Sequence, residues 1–299
     1  MKTGLSVDSL LRVARWEHEM PWLWHGFSTR MGGVSVAYGA ENEARGDLNL
    51  GFTAEDEAER VGENRRRLAA MATGSAETRL AVIRQIHSGI SVELRAGEPL
   101  WSEAPQADGV LSDQAGVLLA VQTADCIPVL VADRKRRVVA AFHAGWRGTV
   151  KRIVETGIGR MRLEFGSRPE DLTAAIGPGI GACCYSVGDE VLSEFESQFA
   201  YARELFHEVD SADEVRRKYP MLFLTQRAPG HSPMGPFPHV DLAEANRRQL
   251  LDTGLKAAAI HVVGGCTSCD RELFFSHRAS QGHAGRMLSV IGICPRSRD

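Results

Sequence analysis

Three residues of metal-binding type stand where apolar runs of the chain end. His87 closes the run 82–86, Cys126 follows Thr123, Ala124 and Asp125 after the run 117–121, and His143 closes the run 138–142. A thiolate and two neutral imidazoles suit zinc, and three protein ligands leave a fourth position for water or substrate. The same atoms support metal-free chemistry, because an imidazole beside Cys126 would lower the thiol pKa and shuttle protons as in Cys/His hydrolases. The intervals between the three are far longer than local ligand patterns. Spacing alone therefore leaves both readings open, together with a third in which Cys126 is a buried thiol and the histidines are hydrogen-bonded near strand ends. Asp125 could orient a histidine or cap backbone amides. Arg147 precedes a predicted helix, where a guanidinium, free amides and the positive end of the dipole suit phosphate.

These residues need a scaffold that gathers strand ends. Short apolar, partly β-branched runs predict strands at 80–87, 117–121, 127–132, 138–143, 172–176, 258–263, 272–276 and 287–293. Helices are predicted at 54–71, capped by Thr53, and at 148–165, 187–206 and 241–252. The proline- and glycine-rich stretch 228–239 reads as irregular. Strands and helices mix without strict βαβ alternation, which predicts an α+β fold with mixed sheets.

Other patterns fail. Residues 177–182 (GPGIGA) match a relaxed dinucleotide-binding form, but Pro178 intrudes and no clean βαβ unit surrounds them, so they read as a turn. Cys266 and Cys269 have ligand spacing without a second Cys-x-x-Cys, which argues against a zinc ribbon and leaves a redox pair open. The zinc-deaminase signature is absent. A balance of 35 Lys and Arg against 38 Asp and Glu argues against gripping nucleic acid. Charges interrupt residues 1–20, and no stretch approaches about 18 apolar residues, so neither a secretory signal nor a membrane span is expected. The reading is cytoplasmic, with six cysteines serving as thiols, ligands or nucleophiles.

Across nearly the whole chain the motifs resemble one family. They are residues 25–33 (HGFSTRMGG), 48–51 (LNLG), 85–87 (QIH), 107–109 (ADG), 123–126 (TADC), 143–148 (HAGWRG), 176–178 (IGP), 266–269 (CTSC) and 274–276 (FFS). The chain is similar to the bacterial laccase-domain proteins, also called multicopper polyphenol oxidase-like proteins or peptidoglycan editing factors. The resemblance implies that His87, Cys126 and His143 bind one metal, described as zinc, with copper as the older alternative. It implies a single domain over 1–299, with mixed sheets packed between helices in a layered fold like that of cysteine hydrolases.

The implied activity is phosphorolysis of adenosine, inosine and 5′-methylthioadenosine, with adenosine deamination. Alternatives are editing of peptidoglycan precursors as a hydrolase or partner-binding module, in which Asp125 could close the metal site, and copper-dependent phenol oxidation. Multicopper chemistry needs many imidazoles, often paired as His-x-His; this chain has 10 histidines and no such pair. Phosphorolysis needs an anion pocket, assigned to Arg147, and deamination needs activated water, which an open zinc position provides. Cys126, His143 and Arg147 are then the catalytic candidates. Arg30, Asn49 and Gln85 join Arg147 as candidate substrate-binding residues, because they stand in matching motifs.

Overall fold

The computed structural model describes residues 9–39, 46–209 and 237–295. They fall into a larger unit, residues 1–180 and 242–299, and a smaller unit, residues 181–241. Two mixed sheets form the larger unit. The first runs, in spatial order, Leu10–Leu11 (β1), Leu23–Ser28 (β2), Met287–Ile293 (β15), Val117–Thr123 (β8) and Arg79–Val82 (β5). The second runs Ile260–Val262 (β14), Leu172–Ile176 (β11), Ile127–Asp133 (β9), Val138–Ala144 (β10), Gly109–Ser112 (β7) and Ser91–Leu94 (β6). The pairs β5–β8, β6–β7 and β11–β14 are parallel and the other pairs in these sheets are antiparallel. Met31–Gly33 (β3) and Gly46–Asp47 (β4) make a small antiparallel ribbon. The expected mixed α+β architecture is observed.

Alternation along the strands explains the layering. Val117, Leu119 and Val121 of β8 join Leu130, Val139 and Ala141 of the other sheet in one core. Their neighbours Leu118 and Ala120 point the opposite way, with Leu288 and Val290, toward Leu68 and Ala72 of helix Ala58–Thr73 (α2). Both faces of β8 are covered, so it reads as an unbroken apolar run. Helix Ile153–Phe165 (α4) closes the far side of the second sheet. There a Cβ on Gly157 would fall 2.1 Å from the Phe142 ring, so only glycine permits the approach. Helix Ala14–Glu19 (α1) buries Trp16, whose indole N–H donates to the Thr173 hydroxyl at 3.0 Å. Leu242–Asp252 (α6) packs beside α4 and β11.

Several elements depart from expectation. Helix α2 starts at Ala58 with Glu57 at its N-cap, because the Thr53 hydroxyl is bonded to Tyr38 and caps nothing. The predicted helix 148–165 is two, Trp146–Val150 (α3) and α4, divided by Arg152 at φ 57°. Residues 272–276 are not a strand. Phe274 and Phe275 are buried from a turn in which the amide of Phe274 donates to the Asp270 carbonyl. In the smaller unit the predicted helix 187–206 stops at Gln198. It comprises Asp189–Gln198 (α5), a 3-10 turn Ala202–Leu205 and the start of strand Phe206–Val209 (β12), which pairs antiparallel with Phe237–Val240 (β13). Of the stretch 228–239 expected to be irregular, residues 228–236 lie outside the described residues. The remainder is strand, with Pro238 tolerated in a two-stranded ribbon. Among the described residues no helix is long and apolar enough to cross a membrane.

Candidate metal centre

The β9–β10 hairpin sets the first two ligands. Cys126 immediately precedes β9 and His143 is the penultimate residue of β10; the pairing of Ile127 with Ala144 brings their ends together. His87 arrives on the loop after β5, which runs parallel to β8 and so delivers its end to the same side as the 123–126 turn. The ligand atoms of His87, Cys126 and His143 lie within 4.8 Å of one another, and the imidazole centroids are 4.9 Å apart at 78°. His143 is buried, Cys126 half-buried and His87 exposed, so the cluster opens on one side.

Backbone strain is concentrated here. His87 has φ 55° and Asp125 φ 95°, a region that costs a non-glycine residue about 1–3 kcal/mol and persists only when surroundings enforce it. For His87 the enforcing group is Asp108, which is fully buried. Its carboxylate accepts from the amides of Ile86, His87 and Ser88 at 3.2, 3.1 and 2.5 Å and from the Ser88 hydroxyl at 2.7 Å. Its Oδ1 also lies 2.8 Å from His143 Nδ1. A carboxylate only accepts, so Nδ1 carries the proton and Nε2 is left for the cluster. For Asp125 the enforcing partners are the Thr267 hydroxyl and the Arg278 amide, each 2.7 Å from a different carboxylate oxygen, and the Ile180 amide, 2.8 Å from its carbonyl.

Electrostatics in the metal-free state follow from this packing. Burial pushes the Cys126 thiol up, but the charge and hydrogen bonds of His143 and His87 outweigh it and hold the thiol well below its ordinary value. Burial lowers His143, and the opposing Cys126 thiolate and Asp108 raise it above the usual imidazole range. Asp108 is likewise pushed up by burial and carried down to about 2 by His143 and Ser88. These opposite shifts favour a thiolate–imidazolium pair in the cluster, and a metal taking both ligands displaces the His143 proton. The donor set fits a borderline or soft cation. The backbone leaves room for it, since a Cβ on Gly145 would stand 2.8 Å from Cys126 Sγ and 3.2 Å from His87 Cδ2.

A cleft of about 410 Å³ opens on the cluster, within the range of small-molecule sites. It is walled by Arg84, Gln85, Gln122, His277 and Arg286 besides the three ligands. Gln85 lines it, but its amide is engaged: Nε2 donates to the Gln122 carbonyl at 2.8 Å and Oε1 accepts from the Gln122 amide at 2.7 Å. Asn49 is fully buried. Its amide nitrogen donates to the Gly51 carbonyl and Asp56, and its oxygen accepts from the amides of Gly51 and Arg286. Arg30 lines a different pocket with Tyr38 and Phe275; its guanidinium grips Asp47 through two hydrogen bonds and donates to the carbonyls of Arg271 and Tyr38. Arg147 is exposed, with its guanidinium carbon 4.3 Å from the Trp146 ring centroid, and is not among the residues walling the cleft. It opens a helix of only five residues.

The structure thus brings together His87, Cys126, His143 and Gln85 and places Asn49, Arg30 and Arg147 elsewhere. Asp108, Arg84, Arg286 and His277 are additional site residues. Only Asp108 had a usable signal: it stands in the 107–109 motif at the start of the apolar run that forms β7, and a carboxylate buried there must find partners. Among the described residues no cluster of ligand-type side chains holds more than two histidines.

Residues 24–294 match the family model described as multi-copper polyphenol oxidoreductase laccase. A purine nucleoside phosphorylase of Deinococcus radiodurans is 36% identical over 274 residues, covering 90% of this chain and 88% of that protein. Purine nucleoside phosphorylase YlmD of Geobacillus stearothermophilus is 34% identical over 273 residues, 89% of this chain and 91% of the relative. The crystal structure of YlmD from that organism superposes with a TM-score of 0.74 at 30% identity over 98% of each chain. That of the Bacillus licheniformis hypothetical protein YfiH gives 0.77 at 29% identity, covering 97% of this chain and 98% of the other.

Proposed function

Because the chain belongs to the multi-copper polyphenol oxidoreductase laccase family, with relatives named purine nucleoside phosphorylases, we propose that it is a zinc-dependent purine nucleoside phosphorylase. Its substrates are adenosine, inosine and 5′-methylthioadenosine with inorganic phosphate, and the same cleft deaminates adenosine. The observation that carries this reading is the convergence of His87, Cys126 and His143 beneath a cleft whose lining includes Arg84 and Arg286. Zinc, when held by these three residues, supplies a Lewis acid and lowers the pKa of water toward neutrality. Copper would fit the thiolate and imidazoles as ligands, but among the described residues no ligand-type cluster holds more than two histidines, which is poor support for multicopper oxidation.

The chain's own groups do the rest. Asp108 fixes the His143 tautomer and the His87 loop. Arg286 lines the cleft with its Nη1 donating to the carbonyls of Ala284 and Gly285, and its remaining donors together with Arg84 are assigned to anchoring phosphate. Arg147, outside the wall, has the weaker role of drawing the anion in. Asn49 acts through Arg286, whose amide it holds at 2.9 Å. Arg30 acts through the 38 and 271 segments, and Gln85 through Gln122. The module reading needs a closed fourth ligand, and both Asp125 oxygens are engaged with Thr267 and Arg278. Incubation of the metal-loaded protein with inosine and phosphate is expected to yield hypoxanthine; no turnover at full metal loading contradicts the proposal.

One observation favours a second reading. Asp108, His143 and Cys126 are also ordered as the acid, base and nucleophile of a cysteine hydrolase, the peptidoglycan-editing alternative. The two readings differ in the thiol. Under the first, zinc protects Cys126 from iodoacetamide and chelation abolishes turnover. Under the second, alkylation is fast in the protein as purified, and chelation leaves release of amino acid from cell-wall precursors unchanged.

A further inference from the structure

We propose that His277 is the general acid that protonates the departing purine, an inference that rests on the phosphorylase reading above. Loss of a purine from C1′ leaves the bonding electron pair on the base, and a donor at N7 lowers that barrier when its pKa lies near the working pH. Among the cleft walls, His87, Cys126 and His143 are taken as metal ligands, and guanidinium groups keep their protons. His277 is the remaining imidazole on that wall. It is exposed, and among the described residues its ring has no hydrogen-bond partner.

The backbone that carries it is nevertheless held. The next residue, Arg278, donates its amide to Asp125 Oδ2 at 2.7 Å, one residue from the ligand Cys126. The turn is closed by the Gly282 amide donating to the His277 carbonyl at 2.8 Å, and by the Ser276 hydroxyl accepting from the Ala279 amide at 3.1 Å. The segment carrying the imidazole is thus tied to the ligand-bearing turn.

A phosphate oxygen of the hydrogen phosphate dianion forms a bond to C1′ while the C1′–N9 bond breaks and its electron pair passes to the purine. The His277 imidazolium delivers its proton to N7, releasing neutral base. The proton carried by the phosphoryl group of the new sugar phosphate returns to the imidazole.

A nucleoside already alkylated at N7 leaves without that proton, which supplies the test. Inosine and 7-methylinosine are to be compared with phosphate in the wild type and in His277→Gln, with metal content and melting temperature measured in parallel. The proposal predicts that His277→Gln loses about 10²-fold or more in kcat on inosine, that turnover of 7-methylinosine stays within about threefold, and that metal content is unchanged. Equal losses on both nucleosides, or no loss on inosine, overturn the acid role while leaving the phosphorylase reading intact. A metal-loaded wild type that cleaves neither nucleoside overturns that reading and the proposal with it.

Discussion

The cleft over Cys126 and the network around Asn49 and Arg30 are built from equally distinctive motifs, and they differ in what their polar atoms have left to offer. In the cleft, Cys126 Sγ and the His87 and His143 rings turn toward one another and toward an opening. Around Asn49 both the amide nitrogen and the oxygen are engaged by protein groups, and the Arg30 guanidinium is held by Asp47 and two carbonyls. Motif membership marks both regions alike. Access to an opening separates the chemistry from the frame that holds it.

That contrast breaks if a frame residue behaves like a ligand or the reverse. His143→Ala should lose the metal and all turnover while its melting temperature falls little beyond that of metal-stripped wild type. Asn49→Ala should do the opposite. It leaves buried donors and acceptors unpaired, at about 1–3 kcal/mol for each, so denaturant unfolding should show a loss of several kcal/mol with metal content per folded chain preserved. A metal-free but stable Asn49→Ala protein would erase the distinction.

A second pressure on the frame is acid. His25 is buried on β2, accepts the Val13 amide on Nε2 at 2.9 Å, and burial, aided by Arg12, lowers its pKa to about 4. The folded state prefers the neutral ring, so this contribution is whole above the unfolded pKa near 6.5 and is lost as pH falls from there toward 4. The loss should approach about 3 kcal/mol in urea titrations between pH 7 and 4. His25→Gln should flatten that dependence.

Between frame and chemistry stands Asp108. Asp108→Asn should weaken metal affinity by about 10–100-fold in a chelator competition, since the amide keeps only one acceptor oxygen and turns a donor toward either His143 Nδ1 or the Ile86 and Ser88 amides. The smallest expected effects separate two arginines. Arg286→Ala should raise the KM for phosphate by about tenfold and Arg147→Ala by about twofold, because only the former lines the cleft. Reversed values would return the anion site to the start of α3.

The legible part of the site was the part carried by strand ends. Polar residues that terminate apolar runs must emerge at a sheet edge, and His87, Cys126 and His143 do. Arg30, Asn49 and Gln85 were identifiable as motif residues but not as frame. A sequence does not show that the Asn49 oxygen accepts an amide 237 residues away. His277 and Arg286 reach the cleft through loops whose path depends on Asp125 and Asn49, contacts with no local pattern. In the fold, the covered strands were plain from their continuous apolar runs, and errors fell where side chains found tertiary partners. Thr53 bonds Tyr38 instead of capping α2, and Phe274 and Phe275 are buried by a turn that imitates a strand in composition.

The account stands on one cation held by His87, Cys126 and His143 with an accessible face. Elemental analysis of the purified chain, before and after dialysis against chelator and after readdition of zinc, tests it directly when paired with inosine phosphorolysis. The account predicts one ion per chain lost with turnover and restored with it, and no ion at this site in Cys126→Ser. Full turnover in protein stripped of metal, or undiminished metal in Cys126→Ser, would contradict it.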